Sequence, residues 1–225
     1  MDQTTIITSF VILPIAGYLL GSIPFGLLLG LTRSVDIRHA GSGNIGSTNV
    51  ARLLGRKWGY LCFILDVAKG FLPVCWAGSY LHRLAGGASH ATLPTALQWA
   101  WLSVAAACVL GHMFSIYLRF YGGKGVATSL GVLLGLWPYF TLAAILAFAV
   151  WTAVWGAWRY VSLASIVAAV SFPAAFVVLI WRLDQWYFVD LWPLFIFSCL
   201  MGLIVVLRHR TNIARLFAGT ENRSH

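Results

Sequence analysis

The residues best suited to chemistry in this sequence are FYGGKGVAT at 120–128, where three glycines and Lys124 stand at the water-facing edge of a strongly apolar chain. Glycines remove side-chain obstruction, so backbone N–H groups can approach a ligand closely. A helix beginning near Val126 would aim its N-terminal dipole at the same point, and Lys124 adds a full positive charge. Backbone donors, a dipole and a cation together suit a phosphate, with a flexible basic turn as the alternative. A Walker A loop is excluded. It needs a glycine five residues before Gly123, where Leu118 stands.

A second cluster reads GSGNIGSTN at 41–49, followed by Val50, Ala51 and Arg52. Gly41, Gly43 and Gly46 fit the G-x-G-x-x-G spacing, and Asp66 stands twenty residues beyond Gly46. That fingerprint has meaning only between a buried strand and a helix of a βαβ unit. Residues 36–40 are no such strand and Asp66 lies within an apolar span, so dinucleotide binding is excluded. What is left is a permissive backbone with the hydroxyls of Ser42, Ser47 and Thr48 and the amides of Asn44 and Asn49. Arg52 adds a forked donor for phosphate. Helix capping is expected of one among Ser47, Thr48 and Asn49.

The third cluster, at 208–221, holds Arg208, His209, Arg210, Asn212, Arg215 and Glu221. His209 and Asn212 are three apart and share a face if the last helix continues. Arginines beyond a last span also serve as orientation signals. Ser162 stands at the start of an expected helix, where an N-cap role competes with a site role. His112, at the end of a span, is either a packed, hydrogen-bonded histidine or a site residue.

The elements that must position these clusters are membrane spans. The chain has 225 residues, 60% hydrophobic and 9% charged, with a mean hydropathy of +0.84. Soluble domains carry about a quarter charged residues. A helix crossing roughly 30 Å of hydrocarbon needs about 20 apolar residues. That rule predicts an all-α polytopic membrane protein, one domain over residues 1–225 with seven transmembrane helices. The spans fall at about 4–31, 58–81, 95–118, 126–137, 139–158, 161–181 and 189–207. The fourth is short for a full crossing and is expected to be half-length or tilted. GSIPFG at 21–26 predicts close helix packing with a kink, with a site-lining role as the alternative. Asp66 and Lys69, one turn apart, predict a structural ion pair near the site's border. The N-terminus lacks the basic region of a secretory signal, so the first apolar run is expected to be a retained span.

Fifteen Lys and Arg against six Asp and Glu give a net charge of +9. Alternate loops divide them unevenly. One side holds Arg33, Arg38, Arg52, Arg56, Lys57, Arg119, Lys124, Arg159, Arg208, Arg210, Arg215 and Arg223, the other only Arg83 and Arg182. The basic side is predicted to be cytoplasmic. That puts the N-terminus outside, the C-terminus in the cytoplasm and all three clusters on the cytoplasmic face. Nucleic acid is not an expected partner, because the basic residues are confined to short loops. Cys62, Cys75, Cys108 and Cys199 lie in apolar spans without ligand-like spacing, and the histidines show no metal spacing. Neither disulfides nor a metal are expected.

Together these clusters resemble the integral-membrane acyl-phosphate:glycerol-3-phosphate acyltransferase family of bacteria. The likeness runs over nearly the whole chain, through GSIPFG at 21–26, GSGNIGSTN at 41–49 with Arg52, residues 66–70, and Gly111 with His112. It continues through GGKGVAT at 122–128, YVSLAS at 160–165, RHRTNI at 208–213 and residues 215–221. Ser47, where alanine is expected in many members, is a mild departure. The resemblance implies a seven-helix protein of the bacterial inner membrane with a cytoplasmic site. Such a protein transfers a fatty acyl group from acyl phosphate to the sn-1 hydroxyl of glycerol 3-phosphate, giving lysophosphatidic acid and phosphate for phospholipid biosynthesis. No cofactor, metal or acyl-CoA is implied. Its partners would be the two substrates and the lipid bilayer, with room for a peripheral enzyme that produces acyl phosphate.

Carried over residue by residue, the resemblance implies Lys124, His209, Ser42 and Arg52 as catalytic residues. It implies Ser162, Asn212, Asn44, Asn49, Gly123 and Glu221 as substrate-binding ones. An acyl phosphate is already activated, so direct attack by the glycerol hydroxyl is expected, without a covalent acyl-enzyme. Lys124 and backbone amides would steady the departing phosphate and Arg52 would hold the glycerol phosphate. His209 would accept the proton, or orient a substrate while a phosphate oxygen does so.

Other classes fit less well. The soluble-type glycerolipid acyltransferases use His-x-x-x-x-Asp, and none of the six histidines has aspartate five residues on. An acyl thioester donor stays open. A membrane transporter of phosphate or an organic phosphate would explain helix-terminus anion sites and a half-length helix. Against it, the polar residues concentrate on one face instead of lining a path across.

Overall fold

The protein, seen in a computed structural model, is described over residues 2–87 and 92–223. Residues 88–91, part of the glycine-rich segment after the second span, lie outside the described residues. Among the described residues the regular structure is all helical. Six stretches are long and apolar enough to cross a membrane: Gln3–Leu31, Arg56–Leu84, Thr95–Leu118, Thr141–Trp158, Val161–Arg182 and Phe188–Arg208. They coincide with six of the seven predicted spans. The remaining one is a helix of 10 residues, Val126–Gly135. At 1.5 Å per residue it is about 15 Å long, half the hydrocarbon thickness. The chain divides into two compact units, Met1–Leu136 and Trp137–His225.

The first unit opens with a broken span. Helix α1 (Gln3–Ile7) passes through a π-helical turn, Thr8–Ile12, into α2 (Leu13–Ser22). Pro24 then ends α2, because the residue before a proline is steered into extended backbone. Ile23 accordingly takes φ −57° and ψ 119°, and the helix resumes as α3 (Phe25–Leu31). Backbone polar groups at such a break must find partners inside the protein. The Ser22 carbonyl accepts from Ser115 Oγ at 2.6 Å, and the Ile23 carbonyl from Lys69 Nζ at 2.7 Å.

Three further helices follow α4 (Ser47–Leu54): α5 (Arg56–Leu84), α6 (Thr95–Met113) and α7 (Val126–Gly135). Glycines set their spacing. A methyl on Gly21 would overlap the Cys108 backbone and one on Gly111 the Tyr18 carbonyl, so α2 and α6 meet backbone to backbone. Gly70 of α5 meets the Thr128 carbonyl, and Gly131 of α7 meets that of Val67, in the same way. Such approach is what small residues permit, and tight packing drives helix association in lipid. The packing expected of GSIPFG is present. The α5–α7 approach also lays the first turn of α7 against the Gly70 turn.

The polar loop between α3 and α5 is held by its own apolar residues. Ile37, Ile45 and Val50 bury against Leu27, Cys62 and Leu118. Each such side chain contributes about 1.5–3 kcal/mol, which keeps a glycine-rich loop ordered. It also ties this loop to the segment that leads into the glycine–lysine stretch.

The second unit holds α8 (Thr141–Trp158), α9 (Val161–Arg182), α10 (Phe188–Arg208) and α11 (Arg210–Phe217). Its core forms round the buried Phe140, which stands edge-on to Phe172 and Phe176 at 5.1 and 4.9 Å. Pairs in that geometry add about 0.5–1.5 kcal/mol beyond their burial. His209, at φ −98° and ψ 9°, bends the chain between α10 and α11. The helix expected to carry His209 and Asn212 on one face is therefore interrupted.

Candidate active site

The 41–52 loop is built on one asparagine. Gly41 and Gly43 take φ of 61° and 68°, the left-handed region that glycine enters without steric cost. Asn49, 2% exposed, lies inside the turn they make. Its Nδ2 donates to the Ile37 and Ala40 carbonyls, each at 3.1 Å. Its Oδ1 accepts from Ser42 N at 2.9 Å and from Arg52 Nη1 at 3.3 Å. Asn44 Oδ1 accepts from Gly46 N at 2.8 Å and closes a turn of its own.

The capping expected of Ser47, Thr48 or Asn49 is not what forms. The residue at the α4 N-cap is Gly46, with no side-chain cap. The Asn44 turn sets the entry to the helix, and the Asn49 amide is committed to loop carbonyls. Ser42 and Arg52 stay exposed, bracketed by one asparagine.

The glycine–lysine stretch is tethered to α6. Gly122 N donates to the Met113 carbonyl at 3.1 Å and Gly123 N to the His112 carbonyl at 3.0 Å. Glycine is needed at these two positions for close packing. A methyl on Gly122 would overlap the His112 and Met113 backbone, and one on Gly123 would overlap His112 Nε2. Gly125, at φ 83°, is the N-cap of α7, and its carbonyl accepts the helix's first bond from Ser129 N at 2.7 Å. The N–H groups of Val126, Ala127 and Thr128 precede that bond, so no carbonyl of α7 reaches them. With half-buried Lys124 beside them they form an anion-attracting end.

A buried polar cluster lies next to this stretch. Asp66 Oδ1 and Lys69 Nζ form the expected ion pair at 2.9 Å, each side chain 3% exposed. His112 Nδ1 is 3.7 Å from the same carboxylate oxygen and 3.1 Å from Thr128 Oγ1. His112 is thus the packed, hydrogen-bonded histidine of the two alternatives. Thr128 carried no signal in the sequence beyond its place in GGKGVAT.

In the second unit Glu221 is the hub. Its Oε1 accepts from Ser162 Oγ at 2.7 Å and Asn212 Nδ2 at 2.6 Å, and its Oε2 from Arg215 Nε at 2.7 Å. Burial raises the Glu221 pKa, but the bonds from Arg215, Ser162 and Asn212 outweigh it and hold the carboxyl below its ordinary value. Ser162 lies inside the first turn of α9, whose N-cap is Tyr160. Its hydroxyl goes to Glu221 and does not cap the helix. Arg223 Nε donates to the Tyr160 hydroxyl at 3.1 Å, which ties the tail down again.

His209 is 2% exposed, and its Nδ1 donates to the Val205 carbonyl at 2.8 Å. A carbonyl only accepts, so Nδ1 carries the proton and Nε2 carries the lone pair of the neutral ring. Among the described residues no group of three or more His, Cys, Asp or Glu is placed to hold a metal ion.

Helix termini and arginines recur in many anion sites, so the chain as a whole decides the family. The family profile described as glycerol-3-phosphate acyltransferase matches residues 11–219. The chain belongs to the glycerol-3-phosphate acyltransferase family. The glycerol-3-phosphate acyltransferase of Trichlorobacter lovleyi is 45% identical over 93% of this chain and 95% of its own. That of Aquifex aeolicus is 40% identical over 94% and 97%. The crystal structure of PlsY (YgiH), an integral membrane glycerol 3-phosphate acyltransferase, is similar in its glycerol 3-phosphate form with a TM-score of 0.76. It is 37% identical and covers 96% of this chain and 95% of that one. Its lysophosphatidic acid form gives a TM-score of 0.75. The glycerol-3-phosphate acyltransferase match spans every candidate residue except Glu221, which lies just beyond it.

Proposed function

We propose that the protein transfers a fatty acyl group from acyl phosphate to the sn-1 hydroxyl of glycerol 3-phosphate, giving lysophosphatidic acid and phosphate. The observation that carries this is that the first unit sets two cations in donor-rich surroundings, Lys124 beside the start of α7 and Arg52 held by Asn49, each suited to a phosphate. Two substrates that each bear a phosphate need two such groups. The membership of a family whose solved relative is described in glycerol 3-phosphate and lysophosphatidic acid forms supports the same acceptor and product. The protein works as one domain in the bacterial inner membrane, with α7 completing seven crossings and the basic loops in the cytoplasm. The loop charge imbalance supports that orientation.

In the reaction the glycerol oxygen bonds to the acyl carbon, the bond from that carbon to the phosphate oxygen breaks, and the hydroxyl proton ends on the released phosphate. The donor is already activated, so no enzyme nucleophile intervenes. Orientation and charge stabilisation supply the rate. Lys124 and the first-turn N–H groups of α7 neutralise the departing phosphate. Arg52 and Ser42 hold the glycerol phosphate, in a loop shaped by Asn49 and Asn44. His209 Nε2 takes the hydroxyl proton and passes it on, while Ser162 and Asn212, set by Glu221, contact substrate. Gly123 shapes the Lys124 loop.

Purified protein should release phosphate from a long-chain acyl phosphate only when glycerol 3-phosphate is present. Release that ignores the acceptor would sink the assignment. Arg52→Ala should raise KM for glycerol 3-phosphate roughly 10- to 100-fold, the scale of a charged hydrogen bond worth about 1.5–3 kcal/mol. An unchanged KM would remove Arg52 from that phosphate. If His209 is the base, the wild-type rate falls toward acid as the ring protonates, and His209→Ala loses that limb of the pH profile. A profile of the same shape in both proteins excludes the role.

A further inference from the structure

Four polar side chains from three helices of the first unit converge without any part in the chemistry above: Asp66 and Lys69 of α5, His112 of α6 and Thr128 of α7. Each is 5% exposed or less. Taking a carboxylate and an ammonium out of water costs several kcal/mol per ion, and apolar replacements of buried pairs are often neutral or stabilising. Charges kept inside an apolar span call for a function.

Their geometry points at the Lys124 stretch. Thr128 belongs to the first turn of α7, and its Oγ1 lies 3.1 Å from His112 Nδ1. The other edge of the same ring, Nε2, abuts Gly123, and the His112 carbonyl takes the Gly123 N–H at 3.0 Å. One histidine therefore touches the chain just before and just after Lys124. Asp66 Oδ1 faces the ring at 3.7 Å and is held by Lys69 at 2.9 Å. Lys69 is fixed in turn by the Ile23 carbonyl, at the proline break of the first span, at 2.7 Å. Contacts run without a gap from that break to the loop. Buried at 3% exposure, with Nε2 packed beside Gly123, His112 is placed to hold, not to exchange protons with substrate.

We propose that Lys69, Asp66 and His112 form a buried bracket that fixes the direction of Lys124 and of the first turn of α7, with His112 and Thr128 as positioning residues for acyl transfer. This rests on the assignment of Lys124 to the departing phosphate. A misplacement of about 1 Å can cost on the order of 100-fold in rate.

The test uses the full chain purified in detergent. Thr128→Val keeps the side-chain shape and removes Oγ1. It should lower kcat roughly 10- to 100-fold with KM for glycerol 3-phosphate unchanged and a small fall in thermal midpoint, and Thr128→Ser should regain most of the loss. Combined with Lys124→Arg, Thr128→Val should cost less than the product of the two single losses, because both act on one group. A full kcat in Thr128→Val, or strictly multiplicative losses, overturns the bracket while a crippled Lys124→Arg keeps the phosphate role. A fully active Lys124→Ala overturns that role, and the bracket loses its object with it.

Discussion

Lys124→Ala is expected to cut the glycerol 3-phosphate-dependent release of phosphate roughly 100- to 1000-fold at saturating substrate, the cost of losing one preorganised donor at a developing negative charge. The residue is half-buried beside the N-terminus of α7, so its charge and the helix dipole act on the same place. The loss should fall on kcat, because negative charge grows on the phosphate as the acyl–oxygen bond breaks. KM for glycerol 3-phosphate should hardly move, since the proposed mechanism gives that phosphate to Arg52. Lys124→Arg keeps a charge but replaces a compact ammonium by a planar fork, and should fall between the two. Activity within a factor of a few of wild type in Lys124→Ala would remove the residue from the reacting group.

At Glu221 the expected effect is on both activity and stability. Three donors meet on this carboxylate. Glu221→Ala leaves the Ser162 hydroxyl, the Asn212 amide and the Arg215 guanidinium without that acceptor. Hydrogen bonds to charged groups are worth about 1.5–3 kcal/mol each, so activity should fall on the order of 100-fold, with a lowered thermal midpoint.

The pH dependence separates charge from shape. The folded carboxyl titrates below its ordinary value of 4.5. Its stabilisation is therefore fully present above pH 4.5 and is lost as the pH falls through the lower folded value. Wild type should lose thermal midpoint in that acid window. Glu221→Gln should start lower at pH 7 and lack that acid step. The same acid step in both proteins would show that Glu221 does not carry it.

Much of the fold could be read from composition because a bilayer imposes simple rules. Twenty apolar residues make a full-length span, and the dozen before Pro138 make a short one. Hence α7 was legible as a half-length helix and the other spans as full ones. The Asp66–Lys69 pair was legible too, since an i,i+3 spacing on one helix fixes its own geometry. Contacts between helices were not. His112 reaches Thr128, 16 residues away, only because α6 and α7 meet across a glycine loop, and Ser162 reaches Glu221 across 59 residues.

The glycines of the 122–125 stretch were legible as a place where backbone comes close to something. That Gly122 and Gly123 come close to α6 depends on the carbonyls of another helix, which spacing along the chain does not reveal. The failed capping expectation at Ser47, Thr48 and Asn49 has a similar cause. Asn49 is drawn to carbonyls that Gly41 and Gly43 bring round behind it.

The tether of Gly122 and Gly123 to α6 also has an electrical side. A helix ends in roughly half a negative charge, spread over its last carbonyls. Here those include His112 and Met113, which stand directly behind the lysine loop. Left bare, they would push an incoming phosphate away. The two glycine N–H groups cover them, so the same short turn insulates the repelling pole of one helix and leaves the attracting pole of the next to face the anion. An alanine at either glycine would do more than crowd the loop: its methyl would push the N–H off the carbonyl behind it and thin that insulation.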